Sequence, residues 1–126
     1  MTNEQPPPDP RPTVRSRSDG GYEVRGWRCA RCTASTAMSV RRCPTCGGPL
    51  AETYFGPLGT VWSDTTVHVP VPGRTPPYRI AYVDLDDGPR VAADLDTPPG
   101  RPAPRRVRLT GTSERGDVTV AAAEEA

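Results

Sequence analysis

All four cysteines of the chain lie in two Cys-x-x-Cys pairs, Cys29–Cys32 and Cys43–Cys46, and ten residues separate the two pairs. Each pair can direct two sulfurs at one point, so two pairs supply the tetrahedral set of thiolates that Zn²⁺ prefers. The alternative, two disulfide bonds, needs an oxidising compartment and usually a secretory signal, and we expect neither from this sequence. We therefore predict one Zn²⁺ ion held by Cys29, Cys32, Cys43 and Cys46.

A closed four-cysteine site predicts a structural role for its metal. No coordination position remains for water or substrate, so the ion should stabilise the fold rather than act as a Lewis acid. Such sites contribute on the order of 10 kcal/mol or more to folding. Gly47 and Gly48 follow the second pair, and we expect them to let backbone amides turn toward the Cys46 sulfur.

Composition favours an all-β chain. The 126 residues include 17 prolines and 12 glycines, which disfavour long helices, and a hydrophobic fraction of 34% predicts no large core. All 16 basic residues are arginines, which excludes a Schiff-base lysine and a phosphate-loop lysine. Since no apolar run approaches the length of a membrane span and no leader is expected, we predict a cytoplasmic protein.

Shifts in composition divide the chain into segments. We predict a disordered proline-rich tail over residues 1–18, a rubredoxin-like zinc ribbon over 19–50, an OB-fold domain over 51–122 and a disordered tail over 123–126. The first tail holds five prolines and too few apolar groups to offset the entropy of ordering, with a proline-rich recognition segment as the alternative. Each folded module is expected to have its own small core.

The segment after residue 50 reads as a series of short strands. We predict five of them, over residues 58–69, 78–86, 89–95, 105–110 and 117–122, which suggests a small barrel. Asp87-Gly88 predicts a tight hairpin, because a type I′ turn needs positive φ. The nearby carboxylates of Asp84 and Asp86 are interpreted mainly as turn chemistry, and a divalent-cation site is the alternative.

Alternation along these strands predicts which side chains point inward. The inward set is Val61, Val67, Val69, Ala81, Val83, Leu85, Val91, Ala93, Leu95, Val107, Leu109, Val118 and Val120. The outer face then carries Trp62, His68, Tyr78, Ile80, Tyr82, Arg106 and Arg108. Exposed aromatic surface of this kind usually marks a partner contact. The alternatives are a β-bulge that shifts the register, or coverage of the rings by segments 50–58 and 70–77.

Three features together suggest a known family. A four-cysteine ribbon is followed by FGPLGTVWSDTTVHVPV and then by IAYVDLDDGPRVAADL. This arrangement resembles the zinc-ribbon and OB-fold proteins described as acyl-CoA-associated, over roughly residues 26 to 120. Members of that family usually carry a helix before the ribbon, and here a proline-rich segment takes its place.

The resemblance implies a function. Such proteins commonly serve as small accessory subunits of thiolase-like or ketosynthase-like enzymes in lipid or secondary metabolism, where they act as scaffolds and the catalytic groups lie on the partner. Contact with acyl-CoA has been proposed for the module itself. We therefore expect a hetero-oligomer in which Trp62, Tyr78 and Tyr82 contact the partner, with Arg106 and Arg108 at the rim or near acyl-CoA phosphates.

Two other functional classes are weighed against this one. An autonomous enzyme has few candidate residues, because His68 is the only histidine and a regular strand turns Ser63 away from Asp64 and His68. Single-stranded nucleic-acid binding is the second class, since OB barrels and zinc ribbons both serve it. The excess of acidic residues in the barrel segment argues against that function.

Overall fold

The computed structural model describes residues 10–123, and it is all-β, as predicted. The first of its two sheets contains β1 (Val14–Ser16), β2 (Tyr22–Cys29), β3 (Ser35–Thr36) and β4 (Leu50–Phe55). β2 is the central strand, with β1 and β3 along one edge and β4 antiparallel along the other. We call this the ribbon sheet. Among residues 10–123 the structure has no helix able to span a membrane.

The second sheet is a closed barrel. Its strands are β5 (Leu58–Val67), β6 (Tyr78–Leu85), β7 (Arg90–Leu95), β8 (Arg106–Thr112) and β9 (Val118–Ala122). They close in the order β5-β6-β7-β9-β8, with β7 and β9 parallel and the other neighbours antiparallel. A five-stranded Greek-key barrel of this kind is the OB-fold. All five strands predicted from the sequence are present, with ends that shift by one or two residues.

The core lies inside the barrel and continues under the ribbon sheet. Ten of the thirteen residues predicted to point inward are buried, namely Ala81, Val83, Leu85, Val91, Ala93, Leu95, Val107, Leu109, Val118 and Val120. Val61 packs partly buried against them. Val24 of β2 and Phe55 of β4 belong to the same cluster, so the two sheets share one core. The expectation of two separate cores was therefore wrong.

A β-bulge on β5 changes the side-chain pattern of that strand. Val61 pairs with Val83 and Ser63 with Tyr82, so Trp62 is an extra residue that has no partner on β6. A bulge of this kind reverses the inward and outward positions beyond it. Val67 consequently lies on the outer side opposite Tyr78. The inward placement predicted for Val67 was wrong.

The predicted inward position was also wrong for Val69, just beyond the end of the same strand. This residue follows the end of β5 and is 67% exposed.

The bulge also brings Asp64 opposite Ala81, next to a buried arginine. There its Oδ2 accepts hydrogen bonds from Nε and Nη2 of Arg79, at 3.0 and 2.8 Å. Arg79 is only 8% exposed, and its Nη1 donates to the carbonyl oxygens of residues 98 and 101.

The sheets divide the chain at places other than the segment boundaries given above. β4 falls in the segment assigned to the barrel, yet it pairs with β2 along six residues. β1 falls in the segment assigned to the tail, yet Val14 pairs with Val24 and packs against the core. The remaining tail predictions, for residues 1–9 and 124–126, lie outside the described residues.

Candidate metal centre and outer barrel face

Short backbone turns present the four cysteines. Cys29 ends β2, where its N–H donates to the carbonyl of Ala34 at 2.8 Å and its own carbonyl accepts from Thr33 at 3.2 Å. In the second turn, Cys43 N–H donates to Gly48 and Cys43 C=O accepts from Gly47, at 3.0 and 2.9 Å. Each turn is therefore held by its own backbone hydrogen bonds.

The turns bring all four sulfurs together. The four Sγ atoms lie within 4.8 Å of one another, and the Cys29–Cys46 and Cys32–Cys43 pairs are each 3.5 Å apart. Four sulfurs around a tetrahedral zinc, each at about 2.3 Å, would be separated by about 3.8 Å. A disulfide bond would instead need about 2.05 Å. The predicted set is thus assembled with the spacing of a cluster that could bind a metal ion.

Backbone amides surround the sulfurs. The N–H groups of Arg31 and Cys32 donate to Cys29 Sγ at 3.3 and 3.4 Å, and that of Gly48 donates to Cys46 Sγ at 3.3 Å. The contact from Gly48 confirms the role predicted for the glycines. A Cβ atom at Gly48 would lie 3.0 Å from Cys29 Sγ and 3.1 Å from the Arg31 side chain, so a larger residue there would crowd the sulfurs.

These amides also affect the acidity of the thiols. The backbone amide of Cys46, with that of Thr45, lowers the pKa of Cys43 to about 6. The amides of Cys32 and Arg31 likewise lower the pKa of Cys29. At Cys32 the amide of Ala34 favours the thiolate, but the neighbouring sulfurs and burial outweigh it and raise the pKa to about 12. Crowded thiolates repel one another, and a bound cation relieves that repulsion.

The outer barrel face presents a pair of aromatic rings. Trp62 is 59% exposed and Tyr82 is 48% exposed, and their ring centroids lie 6.3 Å apart at an interplanar angle of 75°. The guanidinium of Arg90 lies 3.7 Å from the centroid of the Trp62 ring. Arg90 in turn pairs with both carboxylate oxygens of Asp84, at 2.7 and 3.1 Å. We call Trp62, Tyr82 and Arg90 the aromatic face.

The other residues predicted to contact a partner lie in different surroundings. Tyr78 is half-buried beneath Arg74, whose guanidinium lies 3.8 Å from the ring centroid, so segment 70–77 covers this ring. Arg106 is held by Asp86 through two hydrogen bonds of 2.7 Å. Arg108 is exposed and makes no ion pair within the described part of the chain. The structure thus brings Trp62 and Tyr82 together and leaves Tyr78 apart from them.

The aspartates at the end of β6 and in the turn after it form ion pairs with arginines. Asp84 binds Arg90 and Asp86 binds Arg106, while Asp87 lies 3.5 Å from Arg28. The hairpin is present, but its turn differs from the predicted type I′: Asp87 takes positive φ while Gly88 does not, and Gly88 N–H donates to Leu85 C=O at 2.9 Å. Arg90 was not predicted as part of the aromatic face: a two-residue turn at Asp87-Gly88 would place it opposite Leu85, whereas the observed three-residue loop pairs it with Asp84.

The residues weighed for catalysis do not come together. Asp64 is bound to Arg79, and His68 is exposed just beyond the end of β5. Ser63 lies before Asp64 in the regular part of the strand after the bulge, so the two side chains point to opposite faces.

A four-cysteine ribbon joined to an OB-fold barrel defines the class of this protein, and sequence comparison supports it. Residues 52–112 match the family model described as ChsH2, C-terminal OB-fold domain. The resemblance stated from the sequence is thereby confirmed for the barrel.

Two particular proteins extend the comparison. The chain is 30% identical over 78 residues to the benzoylsuccinyl-CoA thiolase subunit BbsA of Thauera aromatica, covering 61% of this chain and 54% of BbsA. The chain therefore spans about half the length of that relative. The solved structure described as Ltp2-ChsH2(DUF35) aldolase matches with a TM-score of 0.64 and 24% identity, over 81% of this chain and 86% of that one. At this identity the match shows a shared fold.

Proposed function

We propose that the protein is a non-catalytic accessory subunit of a thiolase-like or ketosynthase-like enzyme that acts on acyl-CoA or transfers acyl groups. The similarity to a protein named as a thiolase subunit carries this proposal. The subunit would support the assembly and activity of its partner, and the reacting groups would lie on the partner chain. A cytoplasmic location suits four cysteines that are free thiols.

The aromatic face is the proposed contact with the enzyme. Trp62 and Tyr82 touch edge to face, and Arg90 is fixed over Trp62 by Asp84, so little side-chain freedom remains to be lost on binding. Rigid aromatic rings at the centre of a contact typically carry about 2 kcal/mol or more each. Arg106 and Arg108 would lie at the rim or near acyl-CoA phosphates, and Tyr78 would contribute only where Arg74 leaves it open.

Zinc is the ion that we propose for the four cysteines. Four thiolates in tetrahedral spacing suit Zn²⁺, and iron is the other metal commonly held by such a set. With no vacant coordination position, the ion would fix the two turns relative to each other. Its contribution would be to folding of the ribbon sheet, while the chemistry would remain with the partner.

Single-stranded nucleic-acid binding is the alternative function. OB-folds bind strands with aromatic rings and a basic groove, and Trp62 with Tyr82 offers the rings. However, Arg90 and Arg106 are each neutralised by an aspartate, which removes the cationic character that the phosphates would require. Filter binding across a salt series tests this alternative directly.

The test of the proposal is co-expression with thiolase-like proteins encoded beside the gene, followed by affinity purification and light scattering. Trp62→Ala and Tyr82→Ala should each weaken the complex about tenfold or more, with unchanged zinc content and circular dichroism. Met38→Ala is the matched control, because Met38 is equally exposed, at 60%, but lies in the ribbon. Undiminished association of folded Trp62→Ala and Tyr82→Ala variants would exclude the aromatic face as the contact.

A further inference from the structure

β4 carries a sheet edge that no described strand covers. The barrel is closed and has no edges, and β3 is only two residues long. The outer edge of β1 is short and carries Arg15, and two prolines lie just before the strand. Such features commonly protect an edge. β4 is six residues long, has no proline and carries a single charge, at Glu52, so it is the long unprotected edge in residues 10–123.

The hydrogen-bond pattern shows which backbone groups are left on that edge. The N–H of Ala30 donates to the carbonyl of Pro49 at 3.1 Å, which makes these two residues a hydrogen-bonded pair of the β2–β4 ladder. In an antiparallel ladder such pairs alternate with non-bonded ones. Positions 51, 53 and 55 therefore bond to β2. Leu50, Glu52 and Tyr54 direct their N–H and C=O groups away from it.

We propose that β4 pairs antiparallel with β4 of a second copy of this chain, about a two-fold axis at Thr53. Residues whose backbone N–H and C=O groups point away from β2 must pair with such residues of the other copy. This register therefore makes Glu52 of each copy a hydrogen-bonded partner of Tyr54 in the other. The two Thr53 side chains then meet in the closely spaced pair, which is favourable in sheets. The joined ribbon sheets form one continuous sheet.

Charge selects this register over one centred a residue earlier. An axis at Glu52 would place two carboxylates directly opposite each other, which is destabilising. With the axis at Thr53, each carboxylate faces a tyrosine. Within one copy the Tyr54 hydroxyl already lies 3.3 Å from Glu52 Oε1, and Arg25 lies 3.2 Å from Glu52 Oε2, so this face of the strand accommodates both groups.

The inference does not depend on the proposed enzyme partner, because it concerns the isolated full-length chain. Sedimentation velocity over a concentration series should find a reversible dimer. Glu52→Pro should raise its dissociation constant at least about tenfold, because proline removes an outward N–H and blocks the edge without breaking the β2 ladder. Glu52→Thr removes the same carboxylate and keeps the N–H, so this control should still dimerise. A monomeric wild-type protein, or a Glu52→Pro variant that dimerises like the wild type, would overturn the proposal.

Cysteine cross-linking tests the register by a second route that does not need the proline variant to fold. In the zinc-loaded protein, Thr53→Cys should give a disulfide-linked dimer under mild oxidation, because the two side chains meet at the axis. Ala51→Cys should not, because the two positions 51 lie four residues apart along the strands, about 13 Å. Cross-linking at position 51 and not at 53 would overturn the register.

Discussion

Trp62 and Tyr82 lie in a T-shaped contact at the point where β5 contains one residue more than its partner strand. In a regular strand, neighbours alternate between the two faces, and positions 61 and 63 would share a face. With the bulge, Val61 packs against the core, and both Trp62 and Ser63 lie on the outer side. Regular alternation alone would also turn Trp62 outward, and the bulge adds Ser63 beside it on the same face.

Arg90→Gln should weaken partner binding while changing stability little. The Arg90–Asp84 pair is 43% exposed on both sides, so its loss should cost under about 1 kcal/mol in urea unfolding. Loss of the guanidinium also frees the Trp62 ring, and co-purification with the partner enzyme should fall. Arg15→Gln is the matched control, because Arg15 likewise stacks on an aromatic ring, Tyr54 at 3.2 Å, but in the ribbon sheet. Equal loss of binding in both variants would contradict the prediction.

Cys43→Ser should abolish stoichiometric metal binding. Elemental analysis of protein purified without added metal should find one zinc per chain in the wild type and far less in the variant. The free energy of unfolding should fall by several kcal/mol, since such sites supply on the order of 10 kcal/mol to folding. Thr45→Ala lies in the same turn and leaves all four sulfurs in place, so it should keep its zinc. A metal-free wild-type protein with an unchanged spectrum would refute the prediction, and iron in place of zinc would correct the metal's identity.

Asp64→Ala should destabilise the barrel by leaving Arg79 without its carboxylate. Arg79 is 8% exposed and Asp64 27%, so the pair is partly screened and we expect a loss of about 1 to 3 kcal/mol in urea unfolding. Arg79→Met combined with Asp64→Ala should recover part of that loss, because no unpaired cation then remains. Asp96→Ala, on an exposed residue beyond β7, should change stability little. Equal stability of the Asp64→Ala variant and the wild type would show that the Asp64–Arg79 pair contributes nothing to the free energy of unfolding.

Asp86 should titrate at a lower pH than an ordinary aspartate. The hydrogen bonds and charge of Arg106 lower the pKa of Asp86. A carboxyl with a lowered folded-state pKa stabilises the protein above its unfolded pKa of about 3.9, and that contribution is lost as pH falls through the folded value. Carboxyl NMR should show the pKa of Asp86 rising in Arg106→Gln. The pKa of Asp19, lowered by the amide of Gly21 in the ribbon, should stay unchanged, and an equal shift there would point to a general effect instead.

Features determined by local sequence were predictable. The two Cys-x-x-Cys turns form from neighbouring residues, so their spacing was enough to predict that Cys29 and Cys46 would meet. The inward side of β6 to β9 was also predictable, because valine, alanine or leucine recurs at every second position of these strands, which has one interpretation in a half-buried strand.

Features determined by distant pairing were not. The extra residue at Trp62 reverses the pattern after it, and nothing in the alternation of β5 marks where the reversal occurs. The same local sequence at Leu50–Phe55 suits an edge of either sheet, and only the open edge of β2 decides between them. Arg79 was not expected near the core, because its burial depends on Asp64 and on carbonyl groups some twenty residues away.

Phe55 links the cysteine cluster to the hairpin between β6 and β7, and so to the aromatic face. It ends β4, nine residues after Cys46, and packs closely against Gly88 in the hairpin between β6 and β7. Arg28, one residue before Cys29, also donates to the carbonyl of Asp87 in that hairpin. The two strands that leave this turn carry Tyr82 and Arg90. We therefore expect a chain made under metal starvation to lose the support beneath the proposed contact with the enzyme, so that the supply of metal in the cell limits how many copies are competent to associate.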